Sequence, residues 1–178
     1  MKIIVGEIEQ TEYCREIECI GNKLVFFKVH AAVRYIGQKY HYFFVTNCKT
    51  MEARKPPLDI AIHPETGSID YISFFAKNEN LHRNRNNRII REVNKHVIVQ
   101  DSRFNYDHYQ IDEERIIDLT FSKNSVSAID RDSTGIITSY IINNENKILF
   151  DEKSNFVGVE LSNITMVELA EMKKGNIL

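Results

Sequence analysis

The chain has 178 residues, of which 43% are hydrophobic, enough to build one domain or two small ones around a substantial core. Its formal net charge of −2 gives no overall attraction to nucleic acid or to an anionic membrane. No apolar run approaches the roughly 20 residues of a membrane-spanning helix. The apolar start at residues 2–5 ends at Gly6 and Glu7 and does not fit a signal peptide, so we expect a soluble, cytoplasmic protein.

The first quarter of the chain predicts strands joined by turns. Gly21 and Asn22 favour a hairpin turn. Residues 40–46, YHYFFVT, are the most β-prone run of the protein and predict a central strand, because aromatic and β-branched side chains pack well on a pleated sheet. Further strands are predicted at residues 2–8, 13–20 (a strand or a short irregular segment) and 23–36.

Alternation of apolar and other side chains is clearest between residues 58 and 75. It continues up to Ile62, where Pro64 and Gly67 supply a turn before a second alternating run. This pattern predicts a β-hairpin with one face in the core. We expect six side chains from this hairpin and from other strands to be buried: Phe43, Val45, Ile60, Ile62, Ile69 and Val159.

Residues 76–103 are basic, with seven Lys and Arg against three Asp and Glu, a local charge of +4. Apolar residues recur there at near-helical spacing, which predicts a short helix around residues 86–95 and then a strand at 97–99. We therefore expect a single domain, 1–178, with a possible subdivision into 1–80 and 104–178 around a basic helical connector, 81–103.

The second half of the chain predicts further strands and hairpins. Residues 116–121 predict a strand. Residues 126–142 predict a hairpin that turns near Gly135, and residues 148–161 predict one that turns near Asn155.

A short helix is predicted at the C-terminus, over residues 165–173. Asn163 or Thr165 would cap its start, and Gly175 would end it. Together these elements predict a mainly β (α+β) fold, an antiparallel sheet of consecutive hairpins with one or two short helices.

An internal duplication is not indicated by the sequence. Gly67 and Asn155 occupy similar hairpin turns and lie 88 residues apart. The same offset, however, places the predicted strand at residues 40–45 on residues 128–133, which predict a turn.

The sequence contains no recognisable catalytic, metal-binding or cofactor-binding motif. The His and Cys residues are scattered and form no zinc ligand pattern. The glycines sit singly in turns rather than in a phosphate-binding loop, and no G-x-S-x-G elbow is present. We therefore expect reduced thiols, no metal, no cofactor and no enzymatic activity.

Residues 104–133 are acidic, with seven Asp and Glu against three Lys and Arg, a local charge of −4. Residues 106–109, YDHY, form the densest polar and aromatic cluster. Blocks of one charge steer a partner of opposite charge, and Tyr is enriched in interfaces. Alternatively, the acidic and basic blocks pair with each other inside the fold. The residues predicted to bind a partner are Tyr106, Asp107, Tyr109, Asp112, Glu113 and Glu114.

Two other functions remain open at this point. An Asp107–His108 pair would suit acid–base catalysis by a small enzyme, although adjacent strand residues point to opposite faces. The basic stretch at residues 82–95 would suit a ligand or nucleic acid. It lacks interleaved aromatic side chains, so nucleic-acid binding is not the favoured function.

The C-terminal hairpin resembles a small β-rich bacterial family of unknown function. Members of that family end in a strand, a D-x-x-G turn and a strand of hydrophobic, Gly, hydrophobic and Glu residues. Asn155 replaces the Gly of the turn, and Asn also tolerates the left-handed backbone. The matching residues are Asp151, Val157, Gly158, Val159, Glu160 and Leu161.

In overall character the chain resembles the immunity proteins encoded beside bacterial polymorphic or contact-dependent toxins. Such proteins are small, cytoplasmic, often β-rich and without catalytic motifs. The resemblance implies a protein that binds a cognate toxin domain through charge-complementary patches and neutralises it, away from any membrane.

Overall fold

Strands dominate the described part of the chain, as the aromatic and β-branched composition predicts. The computed structural model describes residues 3–5, 12–45, 58–77, 90–93, 97–122, 124–133, 135–143 and 145–178. Within these ranges the fold is mainly β with one helix, so the predicted fold class is confirmed.

Fourteen strands and a terminal helix follow one another along these ranges. The strands are β1 (Ile3–Val5), β2 (Tyr13–Gly21), β3 (Leu24–Ala31), β4 (Tyr40–Val45), β5 (Leu58–Ile62), β6 (Ile69–Lys77), β7 (Ile90–Val93), β8 (Val97–Val99), β9 (Gln110–Glu114), β10 (Ile117–Ser122), β11 (Ser125–Asp130), β12 (Ile137–Asn143), β13 (Asn146–Asp151) and β14 (Phe156–Leu161). The helix is α1 (Met166–Lys174).

The strands form two six-stranded sheets and a small two-stranded ladder, β1–β8. The first sheet has the order β2-β3-β6-β5-β4-β9, and the second sheet has the order β10-β11-β14-β13-β12-β7. Their inner strand pairs are antiparallel, whereas the last strand of each is added in parallel, β9 on β4 and β7 on β12. Strand β7 follows the first-sheet strand β6 along the chain but belongs to the second sheet. Strand β9 precedes the second-sheet strand β10 but belongs to the first sheet. The two sheets thus exchange their last strands.

The two sheets contain the same five-stranded arrangement. Strands β2–β6, the first repeat, lie in the order 1-2-5-4-3, and strands β10–β14, the second repeat, lie in that order too. The 88-residue offset is right for β5 and β13, which start at Leu58 and Asn146, but β4 and β12 start 97 residues apart, at Tyr40 and Ile137. The connection between the third and fourth strands is long in the first repeat and very short in the second, so no single offset aligns both repeats.

The main core lies between the two sheets. Phe44 of the first sheet stacks on Phe156 of the second, with ring centroids 4.4 Å apart. Four of the expected core residues are buried, namely Ile60, Ile62, Ile69 and Val159.

The prediction was wrong for Phe43 and Val45, which lie half-buried on the opposite, outer face of β4. Their neighbours Tyr42 and Phe44 face the core instead. Both faces of this strand carry aromatic side chains, so alternation alone does not decide its register. The hydroxyl of Tyr42 donates to Asp101, so the polar end of this buried tyrosine has a hydrogen-bond partner.

The predicted helix around residues 86–95 was also wrong where it can be compared. Ile90–Val93 is strand β7, paired in parallel with β12, and the rest of that prediction lies outside the described residues. Two apolar residues three positions apart fit a helix, but Ile and Val are β-branched and fit a sheet edge equally well.

The hairpin predicted across Gly135 does not form, because β11 pairs with β10 and β14 whereas β12 pairs with β13 and β7. Gly135, with a φ of 91°, lies in the connection that carries the chain across the sheet. The hairpin that replaces it joins β10 to β11 and turns at Asn124, which has a φ of 73°. The predicted strand 23–36 ends earlier, at Ala31.

Several turns and the terminal helix are confirmed. Hairpins turn at Gly67 and Asn155. Gly67 has a φ of 70°, and a Cβ there would lie 2.6 Å from the carbonyl oxygen of Val99. Thr165 caps α1 in a capping box with Glu168. The Thr165 hydroxyl accepts the Glu168 backbone N–H, and the Glu168 carboxylate accepts the Thr165 backbone N–H.

Arg15 on β2 joins the first sheet to the second sheet and to α1. Its guanidinium donates to both carboxylate oxygens of Glu168 at 2.7 and 2.8 Å, and to the carbonyl oxygens of Ser162 and Asn163 at 2.7 and 3.2 Å. It also donates to Oδ1 of Asn146 at 3.3 Å. The Arg15 side chain is 6% exposed, so this charge depends on these acceptors.

The register of β4 predicts unequal effects of two neighbouring Phe truncations. Phe44→Ala should lower the free energy of unfolding by about 3–5 kcal/mol, because it leaves a cavity in the core. Phe43→Ala, on the outer face, should cost only about 1 kcal/mol. Urea denaturation of both variants measures the difference, and equal losses would contradict the register.

Removal of Arg15 should strongly destabilise the protein. Arg15→Ala should cost about 3–5 kcal/mol in urea denaturation, as for other ion pairs that lose one buried partner. Arg15→Lys, which keeps the charge but not the paired N–H groups, should also be destabilising.

The same pair should make stability depend on pH. Burial raises the pKa of the Glu168 carboxyl, but hydrogen bonds from Arg15 and Thr165 outweigh it and hold the pKa below its ordinary value. The stabilisation is therefore complete above the unfolded pKa of about 4.3 and is lost as pH falls through the lower folded value. Wild type should lose more stability than Arg15→Ala between neutral pH and about pH 3. Parallel pH curves would contradict this assignment.

Candidate partner-binding surface

Three connections meet at one end of the first sheet. We call this surface the loop end; it consists of residues 32–39, 63–68 and 101–109. Strands β4 and β9 are parallel and both begin here, and the antiparallel β5 ends here. Tyr40 stacks on Phe104 at 4.7 Å, and Tyr35 contacts the ring of His63 at 4.2 Å, so the connections are in mutual contact.

The connection between β3 and β4 exposes two aliphatic side chains, Val33 at 88% and Ile36 at 99%. It is nevertheless anchored from below by the buried Asp70. One carboxylate oxygen of Asp70 accepts the Tyr35 backbone N–H at 2.9 Å, and the other lies 3.2 Å from Lys39 Nζ. Because this ion pair offsets the burial of the carboxylate, the loop is held on the sheet while its tip faces solvent.

The connection before β9 exposes two tyrosines, Tyr106 at 83% and Tyr109 at 44%. Asn105 shapes it, since its side-chain oxygen accepts the backbone N–H groups of Asp107 and His108 at 2.9 and 3.0 Å. Strand β4 holds its far end, where the His41 N–H donates to the Tyr109 carbonyl at 2.7 Å.

Asp101 fixes the other end of this connection. Its carboxylate accepts the Tyr42 hydroxyl and the Arg103 guanidinium. The hydrogen bond from Arg103 is the main cause that holds the pKa of Asp101 far below its usual value. Burial, together with Asp101, raises the pKa of Tyr42 well above that of a free tyrosine. Asp101 is therefore charged at neutral pH and Tyr42 is a neutral donor. A cleft of about 420 Å³ opens beside Asp101, between the 63–68 turn and this connection.

The acidic residues of β9 divide between its two faces. Asp112 and Glu114 lie exposed on the outer face, in register with Phe43 and Val45 of β4. Glu113 points to the inner side, where it lies 3.3 Å from Arg103 and 3.4 Å from Arg115. The structure thus brings Tyr106, Asp107 and Tyr109 together in one loop, places Asp112 and Glu114 on the next strand, and turns Glu113 toward arginines.

Part of the acidic block is balanced by its own arginines, whereas Arg103 and Glu113, 3.3 Å apart, form a pair between the basic and acidic blocks of the kind that the sequence alternative described. Arg115 lies 2.9 Å from Asp130, and Arg131 lies 2.6 Å from Asp118. By contrast, no Lys or Arg of the described residues is within ion-pair distance of Asp107 or Asp112, although Gln110 donates to Asp112. These two carboxylates contribute negative charge at the loop end and beside it.

Of the two alternative sites, the described geometry bears only on the one that includes His108. The His108 ring nitrogen Nδ1 lies 3.3 Å from Asn105 Oδ1, and within the described ranges the side chains of Asp107 and His108 form no hydrogen bond or ion pair with each other. Most of the basic stretch at residues 82–95 lies outside the described residues. Where the chain is described, no group of three or more His, Cys, Asp or Glu is arranged to hold a metal ion.

Val33 and Ile36 were missed by the sequence reasoning, which placed them in a long strand. The apolar pattern of β3 continues into the connection, so pattern alone gives no sign that these side chains leave the sheet. The signal present is Gly37, which marks a turn directly after them.

Comparison with known proteins adds no relative. No model of a known protein family matches the chain, and no curated protein matches it. The resemblance to toxin-immunity proteins therefore stays a prediction. The helix in the described ranges is not long and apolar enough to cross a membrane.

Asp70 provides a test of how the loop end is held. Asp70→Ala removes the acceptor of the Tyr35 N–H, so amide hydrogen exchange at Tyr35 should become at least about tenfold faster, the equivalent of about 1.4 kcal/mol. Exchange in the β12–β13 hairpin of the second sheet should be unchanged and serves as the internal control. Equal exchange at Tyr35 in both proteins would show that Asp70 does not anchor this loop.

Proposed function

We propose that this protein binds a basic partner protein through the loop end and the adjoining outer face of β9, and that it thereby neutralises a cognate bacterial toxin domain. The observation that carries the proposal is the joint exposure of Val33, Ile36, Tyr106 and Tyr109 at one end of the first sheet. Grouped exposed apolar and tyrosine side chains are typical of interaction sites, where they supply the buried anchors of an interface.

Anchoring of the loops supports this proposal. Asp70 holds the β3–β4 connection, and Asn105 and Asp101 shape the connection before β9. A surface that is already ordered loses little conformational freedom on binding, so more of its contact energy remains as affinity.

The charge beside these anchors favours a basic partner. Asp107 and Asp112 are exposed and have no Lys or Arg partner among the described residues. The arginines near the loop end are already paired, Arg34 with Glu16 at 3.6 Å and Arg103 with Asp101 at 2.6 Å. The remaining negative field would attract a basic surface and repel phosphates.

A toxin domain is the partner that the sequence resemblance implies. Toxins that act on nucleic acid need basic clefts to hold phosphates. A projecting surface with exposed Ile36 and Tyr106 beside acidic Asp107 and Asp112 suits insertion into such a cleft.

Binding kinetics against the product of the adjacent gene test the proposal. Asp107→Lys combined with Asp112→Lys should slow association about tenfold or more and weaken its dependence on salt, because the steering field is reversed. Ile36→Ala and Tyr106→Ala should act mainly on dissociation, since each removes a buried anchor worth about 2 kcal/mol or more.

Met166→Ala is the matched control for these truncations. Met166 is also highly exposed, but it starts α1, a helix that packs on β2, the edge strand of the first sheet opposite β9. Its truncation should leave both rate constants unchanged. Absence of a complex at micromolar concentrations, or a complex in which Met166→Ala weakens binding as much as Ile36→Ala, would refute the proposal.

A further inference from the structure

Three aromatic rings surround one carboxylate on the outer face of the first sheet. We call His41, Phe43, Asp59 and Tyr71 the Asp59 cluster. His41 Nδ1 lies 3.1 Å from one oxygen of Asp59, and the Tyr71 hydroxyl donates to the other oxygen at 2.5 Å. The His41 ring stacks against Phe43 at 5.5 Å and meets the edge of Tyr71 at 6.1 Å.

The sheet register builds this cluster. Phe43 is directly opposite Asp59, while His41 and Tyr71 are both opposite the small Ala61. Ala61 is fully buried beneath them, which leaves room for the two larger side chains to approach each other over it. The arrangement is thus part of a rigid sheet rather than of a loop.

Asp59 differs from the other poorly exposed carboxylates that form ion pairs in the described residues. The side chain of Asp59 is 14% exposed, and within the described ranges its one ion-pair partner is a histidine. The others each have a Lys or Arg: Lys39 for Asp70, Arg103 for Asp101, Arg115 for Asp130 and Arg15 for Glu168. No Lys or Arg among the described residues therefore forms an ion pair with Asp59.

The chemistry of the cluster suits a guanidinium. A carboxylate can accept about four hydrogen bonds, and Asp59 receives two from the residues that the structure describes. A planar guanidinium donates to a carboxylate and stacks on aromatic faces at the same time. The ring of Tyr71 already lies 5.1 Å from one cation, Lys28 Nζ, so the environment of this ring accommodates positive charge.

We propose that the Asp59 cluster receives an arginine side chain of the basic partner, so that the outer face of the first sheet extends the loop end into one interface. This inference rests on the proposed function for its biological partner. The two surfaces are continuous: His41 is in register with Gln110 at the start of β9, directly after Tyr109. Phe43 is in register with Asp112, so the cluster adjoins the unpaired acidic charge.

The charges around the cluster favour some occupants over others. Across the sheet, the row through Asp59 also contains Glu16, Lys28 and Asp112. Glu16 is paired with Arg34 at 3.6 Å, which leaves the carboxylates of Asp59 and Asp112 against the ammonium of Lys28. This balance opposes a nucleic-acid backbone, which would otherwise stack its bases on such rings. It favours a cation, and among the described residues Lys28 in this row opposes the cation's entry.

A hexa-arginine peptide is the direct probe, followed by NMR of the His41, Phe43 and Tyr71 ring signals. We expect saturable shifts of these signals, and the affinity derived from them should be about tenfold weaker for Asp59→Asn. Phe43→Ala, which keeps the carboxylate, should also weaken binding. Lys28→Gln should strengthen it, because a competing positive charge is removed. Hexa-lysine should bind more weakly than hexa-arginine, since an ammonium lacks the planar paired donors.

The experiment separates this inference from the proposed function. No ring shifts with hexa-arginine, or equal affinity of wild type, Asp59→Asn and Phe43→Ala, would overturn the arginine site whatever the partner does. Tighter binding of a single-stranded RNA oligonucleotide than of the peptide would overturn it too. A partner complex weakened by Ile36→Ala but unaffected by Asp59→Asn would leave the loop end as the binding surface and remove only the Asp59 cluster.

Discussion

The buried guanidinium of Arg15 is the contact on which the arrangement of the two sheets depends. The Arg15 side chain extends from β2, an edge strand of the first sheet. It donates hydrogen bonds to the Glu168 carboxylate of α1 and to backbone carbonyls beside the second sheet. A charge in this position cannot be left without acceptors, so β2, α1 and the end of β14 must be placed together. The same contact keeps α1 on the edge of β2, where Glu171 accepts the Cys19 N–H.

The two repeats share a strand order but not a surface chemistry. In the second repeat, Ile137, Leu149 and Val157 form a small buried apolar cluster on the face turned away from the main core. The corresponding strands of the first repeat carry His41, Asp59 and Tyr71 on that face, and their connections carry the exposed anchors. The features that suit binding are thus concentrated in one copy of a repeated framework.

Sequence reasoning succeeded where a residue type favours one particular local backbone conformation. Gly67 marks a turn because few residues tolerate its φ of 70°, and Thr165 with Glu168 marks a helix start. The turn near Asn155 forms as well, but there Ser154 and not Asn155 has the left-handed backbone, with a φ of 61°. Sequence reasoning failed for Phe43 and for Ile90–Val93, where apolar residues fit two faces or two structures and distant contacts decide between them. For the candidate site, the sequence indicated Tyr106 and Tyr109, because they belong to one short polar and aromatic segment. It did not indicate Asp59, because residues from three different strands form that cluster.

The exchange of strands β7 and β9 between the two sheets has a consequence for how the chain folds and how it can be divided. A cut between β7 and β8 would leave an N-terminal fragment without β9 and a C-terminal fragment without β7, so neither sheet would have its full set of strands. Each repeat is therefore completed only in the presence of the other. The gene cannot be shortened to one repeat without exposing an unpaired strand edge, which is a route to self-association.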